Sequence, residues 1–314
     1  MSGSGSGSEY HFVIAFLSPL LVPTGNRTVD EFVRRFQLFV SVPTFILGLV
    51  FNVFALWSLC FRFRRSNVSV IYMMNLIMAD ILLLSSLPFK IYAYQTVEWS
   101  LGPAFCMFLE CLYYVNTYAS ILMTVLICLD RYISIKHPFL ARSFRSPQKT
   151  AAACATVWIV VWSCSACIYF TKTAKSVCFF NHSPSLWKLP VVVFIQTLFV
   201  LSALVMVFCS VQIVRALRRI NGAKEGCRDN SKSVNIVLSN LSTFLVCFTP
   251  YHLAMLLYFL AQKSLIHAKY LTTVRNALQI CLCLANINCV LDAIYYYFVF
   301  KEFRKSHKHS PTDR

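Results

Sequence analysis

The sequence predicts an all-α integral membrane protein: a seven-transmembrane helix bundle followed by a short cytoplasmic amphipathic eighth helix. Three observations carry that prediction. Of the 314 residues, 58% are hydrophobic and only 13% charged, whereas soluble domains carry about a quarter charged residues. The apolar residues fall in long blocks, not in the short alternations of globular cores. The basic excess, a formal +17, lies between the blocks. A nucleic-acid binder would gather such charge on one soluble face with aromatic platforms, so nucleic acid is excluded as a partner.

A hydrocarbon core of about 30 Å needs about 20 helical residues. Seven stretches meet that length: Phe36 to Phe61, Val68 to Tyr94, Phe105 to Ile135, Thr150 to Phe170, Leu189 to Leu217, Val234 to Leu260 and Leu271 to Phe300. They are called spans 1 to 7 below. Eighteen of the 29 Lys and Arg fall in the connections after spans 1, 3, 5 and 7, and nine on the opposite side. The positive-inside rule therefore places the N-terminus outside and the C-terminus in the cytoplasm. The sequons at Asn26 and Asn181 fall outside and are candidate glycosylation sites, whereas that at Asn67 falls inside.

Residues 1–35 form an extracellular tail, 36–300 the bundle, and 301–314 the amphipathic helix and a short cytoplasmic tail. Residues 1–8 read as low complexity or an artificial scar. The run Tyr10 to Val22 is too short to span and stays unassigned. Lys301, Arg304 and Lys305 after Phe300 suit a helix lying on anionic inner-leaflet lipid. The fourteen cysteines sit mostly inside apolar blocks, where Cys acts as a small apolar residue. No Cys/His set has zinc spacing.

Ionisable residues inside spans are costly and mark function by default. Asp80, Lys90, Glu110, Asp130, Arg131 and Asp292 are of this kind. Asp130-Arg131 closes span 3 at its inner end, and two readings stay open: a switch in which Arg131 alternates between Asp130 and another partner, or a simple interfacial ion pair. Lys90 lies ten residues beyond Asp80 toward the outside. Glu110 lies at a similar outer depth on span 3, so the two could form a closed internal salt bridge or receive a ligand. An internal repeat, expected of many transporters, is not evident. Of the histidines only His252 lies inside a span, which disfavours a multi-pass zinc hydrolase. An enzyme is not predicted, and transporter or channel remains a weak alternative.

Asn52, Leu76-Ile-Met-Ala-Asp80, Asp130-Arg131-Tyr132, Trp158, Cys247-Phe-Thr-Pro250 and Asp292-Ala-Ile-Tyr-Tyr296 resemble, in order, the motifs of the rhodopsin-like (class A) G-protein-coupled receptors. The resemblance covers about Phe36 to His307. It implies a plasma-membrane receptor with a heterotrimeric G protein and arrestin as partners, in contact with membrane lipids. It also implies an activation switch of Asp130, Arg131, Phe248, Pro250, Asp292 and Tyr296, with G-protein contact through Arg131 and Phe139. A sodium pocket of Asp80, Asn116, Ser120, Asn288 and Asp292 is implied as well, its alternative being a water-filled polar network. Sodium would be the sole allosteric ion, with no other metal or cofactor. A Cys106–Cys178 disulfide belongs to the same set. Three positions depart from the pattern: Ala293 replaces proline, Phe248 replaces tryptophan, and Ser202 sits near a usual proline. The first implies a weaker kink in span 7.

Span 7 holds no lysine for a retinal Schiff base, Asn286 standing at that place, and Tyr113 stands where amine receptors carry aspartate. Opsin and biogenic-amine readings are thereby excluded. The predicted cavity is aromatic and apolar, drawn from Tyr92, Tyr113, Tyr114, Tyr118, Phe194, Tyr251, His252, Met255, Tyr258, Gln279 and Leu282. Under a basic outer mouth, such a cavity favours a lipid tail or flat aromatic acid. His252 is read equally as a hydrogen-bonded core residue.

Runs such as Ser86-Leu-Pro-Phe-Lys90, Glu110-Cys-Leu-Tyr-Tyr and Asn286-Ile-Asn-Cys-Val-Leu-Asp292 are similar to the purinergic and lysophospholipid cluster of that family. The likeness is strongest to receptors for lysophosphatidylinositol, with those for kynurenic and other aromatic acids as neighbours. It implies an anionic lysolipid as ligand, an aromatic acid as the alternative, and ligand binding at Lys90, Glu110 and Tyr113. It further implies G12/13 coupling and Rho signalling, Gq and Gi staying open. The candidate ligand set is Lys90, Glu110, Tyr113, Tyr251, His252, Met255 and Gln279.

Overall fold

The computed structural model describes residues 29–62, 68–96, 99–169, 178–179, 187–222, 228–264 and 270–295. Among them, seven helices are long and apolar enough to cross a bilayer: Glu31–Phe61, Val68–Thr96, Pro103–Lys136, Pro147–Ile168, Leu189–Arg219, Val234–Gln262 and Leu271–Tyr295. These are the seven predicted spans, shifted by a few residues at their ends. A short helix, Pro138–Phe144, joins spans 3 and 4. Asn26, Asn181, Tyr296 and residues 301–314 lie outside the described residues.

Span 3 is the axis of the bundle: 83% of its most apolar window is buried, against 17% in span 4 and 28% in span 5. It packs on spans 2, 4 and 5, while spans 6 and 7 close the far side and span 1 packs against 2 and 7. Composition accounts for this order. Asn116, Thr117, Ser120 and Thr124 are buried on span 3, where neighbouring helices supply polar partners that lipid lacks. Span 5 turns Val193, Phe194, Leu201 and Leu204 outward, and an outward apolar face is what a bilayer solvates.

Phe194 is therefore corrected. Predicted to line the cavity, it is 52% exposed on the outer face of the bundle, while its neighbour Ile195 is buried. One residue on a helix is a rotation of about 100°, enough to exchange core for lipid.

Proline opens span 3, the short inner helix and span 4, at first-turn positions where its missing N–H is not needed. Pro43, Pro88 and Pro250 lie inside helices and each removes one backbone bond. Gly48 lets spans 1, 2 and 7 approach closely: a Cβ there would sit 2.7 Å from Leu84 Cδ2 and 3.3 Å from Cys289 Sγ.

Span 7 departs from the sequence expectation in a different place from Ala293. Its helix runs from Leu271 to Ala285, breaks at Asn286 and Ile287, and resumes to Tyr295. The backbone tightens there, Asn286 N–H donating to Cys283 (3.2 Å) and Ile287 N–H to Leu284 (3.0 Å). No proline is required. Asparagine side chains compete with helical backbone bonding, and Asn286 is also drawn toward span 3 by Tyr113.

Candidate functional site

At the end of the bundle that the charge rule assigns to the outside, called outer below, span 2 carries Lys90 into the interior, only 2% exposed. Its Nζ lies 4.1 Å from the Tyr113 ring centroid and 5.7 Å from that of Tyr94. Cation–π contact of this kind stabilises a desolvated ammonium by about 2 kcal/mol or somewhat more, still less than losing its water costs. Among the described residues no carboxylate is in ion-pair contact with Lys90. The predicted internal bridge to Glu110 is thus absent.

Glu110 is engaged elsewhere. Its Oε1 accepts the backbone N–H of Phe179 at 3.0 Å and lies 3.8 Å from Cys106 Sγ. That sulfur is bonded to Cys178, so it has no proton to donate and the contact is van der Waals. The disulfide seats Cys178 on span 3, one helical turn from Glu110, and thereby brings Phe179 N–H to the carboxylate.

Tyr113 links spans 2, 3 and 7. Its ring faces Lys90, and its hydroxyl reaches the Leu282 carbonyl at 3.0 Å and the side-chain amide of Asn286. A hydroxyl has one proton, and Asn286 Nδ2 as placed has no partner. Exchanging the amide oxygen and nitrogen satisfies both: Asn286 donates to Tyr113, and Tyr113 donates to Leu282. Nearby, Gln37 of span 1 donates to Gln279 Oε1 at 3.0 Å. Gln37 is a site residue that sequence reasoning missed, although a glutamine in an apolar span is itself a signal.

Deeper, Tyr251 (1% exposed) and Met255 (4%) face the core. His252 is also 1% exposed. Its Nδ1 is 2.9 Å from the Phe248 carbonyl, which can only accept, so Nδ1 carries the proton and Nε2 accepts from Tyr118 at 3.5 Å. Phe199 stacks on the ring at 3.9 Å. Both nitrogens and one face of His252 are taken up within the protein. Phe248 packs edge-on against Phe244 at 5.5 Å.

At mid-bundle, Asp80 is fully buried and neither of its carboxylate oxygens has a hydrogen-bond partner among the described residues. Asp292, held by Asn288 Nδ2 at 2.6 Å, is close enough to interact with it electrostatically. Ser120 donates to Asn116 at 3.5 Å. Asn52 donates to the carbonyls of Gly48 and Cys289, both at 2.9 Å, tying span 1 to this layer. Two buried carboxylates close enough to interact, one of them held by the Asn288 amide, leave negative charge at mid-bundle that a cation would offset.

At the inner end Asp130 is clamped by Arg145, whose Nε and Nη2 bind Oδ1 and Oδ2 at 3.0 and 3.1 Å. Arg145 also donates to Ser69 Oγ of span 2 at 3.0 Å. The simple Asp130–Arg131 ion pair is not the arrangement here: Arg131 lies 5.6 Å from the Tyr295 ring centroid, and Asp130 pairs with Arg145. Neighbours in sequence diverge on a helix by about 100°, and Arg145, arriving from the short inner helix, meets Asp130 with a planar fork that fits both oxygens. Phe139 on that helix is 86% exposed.

Seven membrane-length helices packed around a central span 3, with a disulfide tying Cys178 to that span, are the arrangement of a heptahelical receptor. The chain belongs to the 7 transmembrane receptors of the rhodopsin family, whose profile matches residues 51–296. It is a multi-pass membrane receptor of the G-protein-coupled kind and not an enzyme. It is similar to G-protein coupled receptor 55 of Mus musculus, 36% identical over 303 residues covering 91% of this chain and 92% of that protein. It is also similar to lysophosphatidic acid receptor 4 of Homo sapiens, 31% identical over 296 residues (90% and 80% covered). A third relative is G-protein coupled receptor 35 of Mus musculus, 33% identical over 277 residues (88% and 89%).

Proposed function

We propose that this receptor recognises an anionic lysolipid of the lysophosphatidylinositol type and signals through G12/13 and Rho. The observation that carries the reading is Lys90, a buried cation facing aromatic rings with no carboxylate in ion-pair contact among the described residues. An isolated charge in a low-dielectric interior is costly, and a ligand anion removes that cost on binding. Similarity to a receptor named for lysophosphatidic acid supports the lysolipid class. In this reading the headgroup meets Lys90 beside Tyr113, and Glu110, Tyr251, His252, Met255 and Gln279 shape or support the cleft that takes the chain.

The remaining assignments belong to the same proposal. The Cys106–Cys178 end faces the oxidising exterior, with Asn26 and Asn181 glycosylated and the inner basic connections in the cytoplasm. Asp80, Asn116, Ser120, Asn288 and Asp292 would hold a sodium ion, which supplies positive charge opposite the two carboxylates in the resting state. Pro250 bends span 6, so a shift at Phe248 swings its inner end outward. Arg131 and Tyr296 then rearrange toward the opened cavity, where the G protein docks with Phe139 as an apolar contact and arrestin competes.

The test is lysophosphatidylinositol-stimulated G-protein dissociation in cells lacking endogenous receptors, comparing wild type with Lys90→Ala at matched surface expression. Loss of a buried charge contact lowers potency by about 30-fold or more. A wild-type response that survives Lys90→Ala overturns the headgroup assignment. No wild-type response, with a response to kynurenic acid, moves the ligand to the aromatic acids.

A further inference from the structure

The outer carboxylate of span 3 has a geometry that neither a ligand contact nor a counter-ion for Lys90 explains. Glu110 is 5% exposed, and Oε1 accepts the Phe179 backbone N–H at 3.0 Å. Phe179 is a non-glycine residue at φ 66°, in the left-handed region that costs an L-residue about 1 kcal/mol or more. A backbone held there needs a fixed acceptor, and a carboxylate is the strongest that a side chain offers.

The segment so held is packed, not loose. Phe179 is buried and meets Trp99 edge-on at 6.2 Å. The Trp99 indole donates to the Gly102 carbonyl at 2.7 Å and its ring stacks on Phe105 at 6.2 Å. Cys178 and Phe179 share one apolar cluster with Tyr94, the ring that flanks Lys90. A chain of contacts thus runs from Glu110 through Phe179 to the wall of the Lys90 cleft.

We infer that Glu110 is a positioning residue: its carboxylate holds the Phe179 backbone against span 3, and so sets the outer wall of the cleft, without lending charge to the ligand or to Lys90. What matters is then the reach of an acceptor oxygen, not the negative charge. Glutamine keeps an acceptor at the same distance, whereas aspartate keeps the charge and falls short by one methylene. A charge contact with ligand or Lys90 orders these two variants the opposite way.

The experiment uses the full-length receptor in lipid nanodiscs, as wild type, Glu110→Gln and Glu110→Asp. Hydrogen–deuterium exchange is followed at the Phe179 amide, without added ligand. Glu110→Gln is expected to stay within about threefold of wild type and Glu110→Asp to exchange about tenfold faster, as loss of one buried hydrogen bond implies. Equal exchange in all three, or faster exchange in Gln than in Asp, overturns the inference. A second readout, potency of lysophosphatidylinositol in cells, follows the same order and alone rests on the lysolipid reading. Failure of that reading removes this response in wild type while the exchange result stands.

Discussion

The two ends of the bundle handle charge in opposite ways. At the inner end, Asp130 is closed by both nitrogens of the Arg145 fork. At the outer end, Lys90 is buried beside aromatic rings with no carboxylate in contact among the described residues. A pair satisfied within the protein stabilises one conformation, whereas a buried charge left unpaired stabilises whatever brings the opposite sign. The inner end is built to hold a state and the outer end to await a partner.

The largest effect that sharpens this contrast is on stability without ligand. Lys90→Met keeps a similar volume and removes a desolvated cation, so it raises the unliganded receptor's unfolding free energy by about 1–3 kcal/mol. A melting temperature several degrees above wild type in nanodiscs, together with a lost ligand response, is the expected pair of results. A lower melting temperature would mean that Lys90 is satisfied in the unliganded bundle, and the contrast would fail.

Next in size is the inner pair. Asp130→Asn and Arg145→Ala each break the same contact, and both are expected to raise basal G-protein signalling by about fivefold. The Arg145 side chain is 37% exposed and that of Asp130 11%, so solvent screening limits the pair to about 1 kcal/mol. The informative result is their agreement. If Asp130→Asn raises basal signalling and Arg145→Ala leaves it unchanged, the resting state is held through Arg131 instead.

Much of the bundle was legible because a bilayer imposes a single rule on every span, and seven apolar blocks satisfy it visibly. The elements that position the site follow no such rule. Arg145 reads in the sequence as one more inner basic residue; only the turn of the short inner helix brings it back onto Asp130, fifteen positions away. The partner of Glu110 is a backbone N–H, which has no sequence signature, so the eye pairs Glu110 with the nearest lysine. Phe194 was misassigned because an apolar span looks alike on its lipid and core faces. The absence of proline at Ala293 implies a weaker kink there, and the helix runs through that position; the break earlier in span 7 has its signal in Asn286, a residue whose side chain competes with the helix. Asp80 and Asp292, by contrast, were plain: a carboxylate in lipid announces itself.

The smallest prediction separates two roles of one residue. Tyr113 presents its ring to Lys90 and its hydroxyl to Leu282 and Asn286, and these act on different ends of the phenol. Tyr113→Phe retains the ring and deletes the hydroxyl, so the face opposed to the ammonium survives while the link to the break in span 7 is lost. One buried hydrogen bond is worth about 1 kcal/mol, and the expected change in agonist potency is about fivefold. Tyr113→Leu deletes both and is expected to cost a further few-fold, since cation–π contact adds about 0.5–2 kcal/mol. If Tyr113→Phe already matches Tyr113→Leu, the ring contributes nothing to holding Lys90. The outer end would then owe its poise to the hydroxyl's tether between spans 3 and 7, and would resemble the inner end more closely than its unpaired charge suggests.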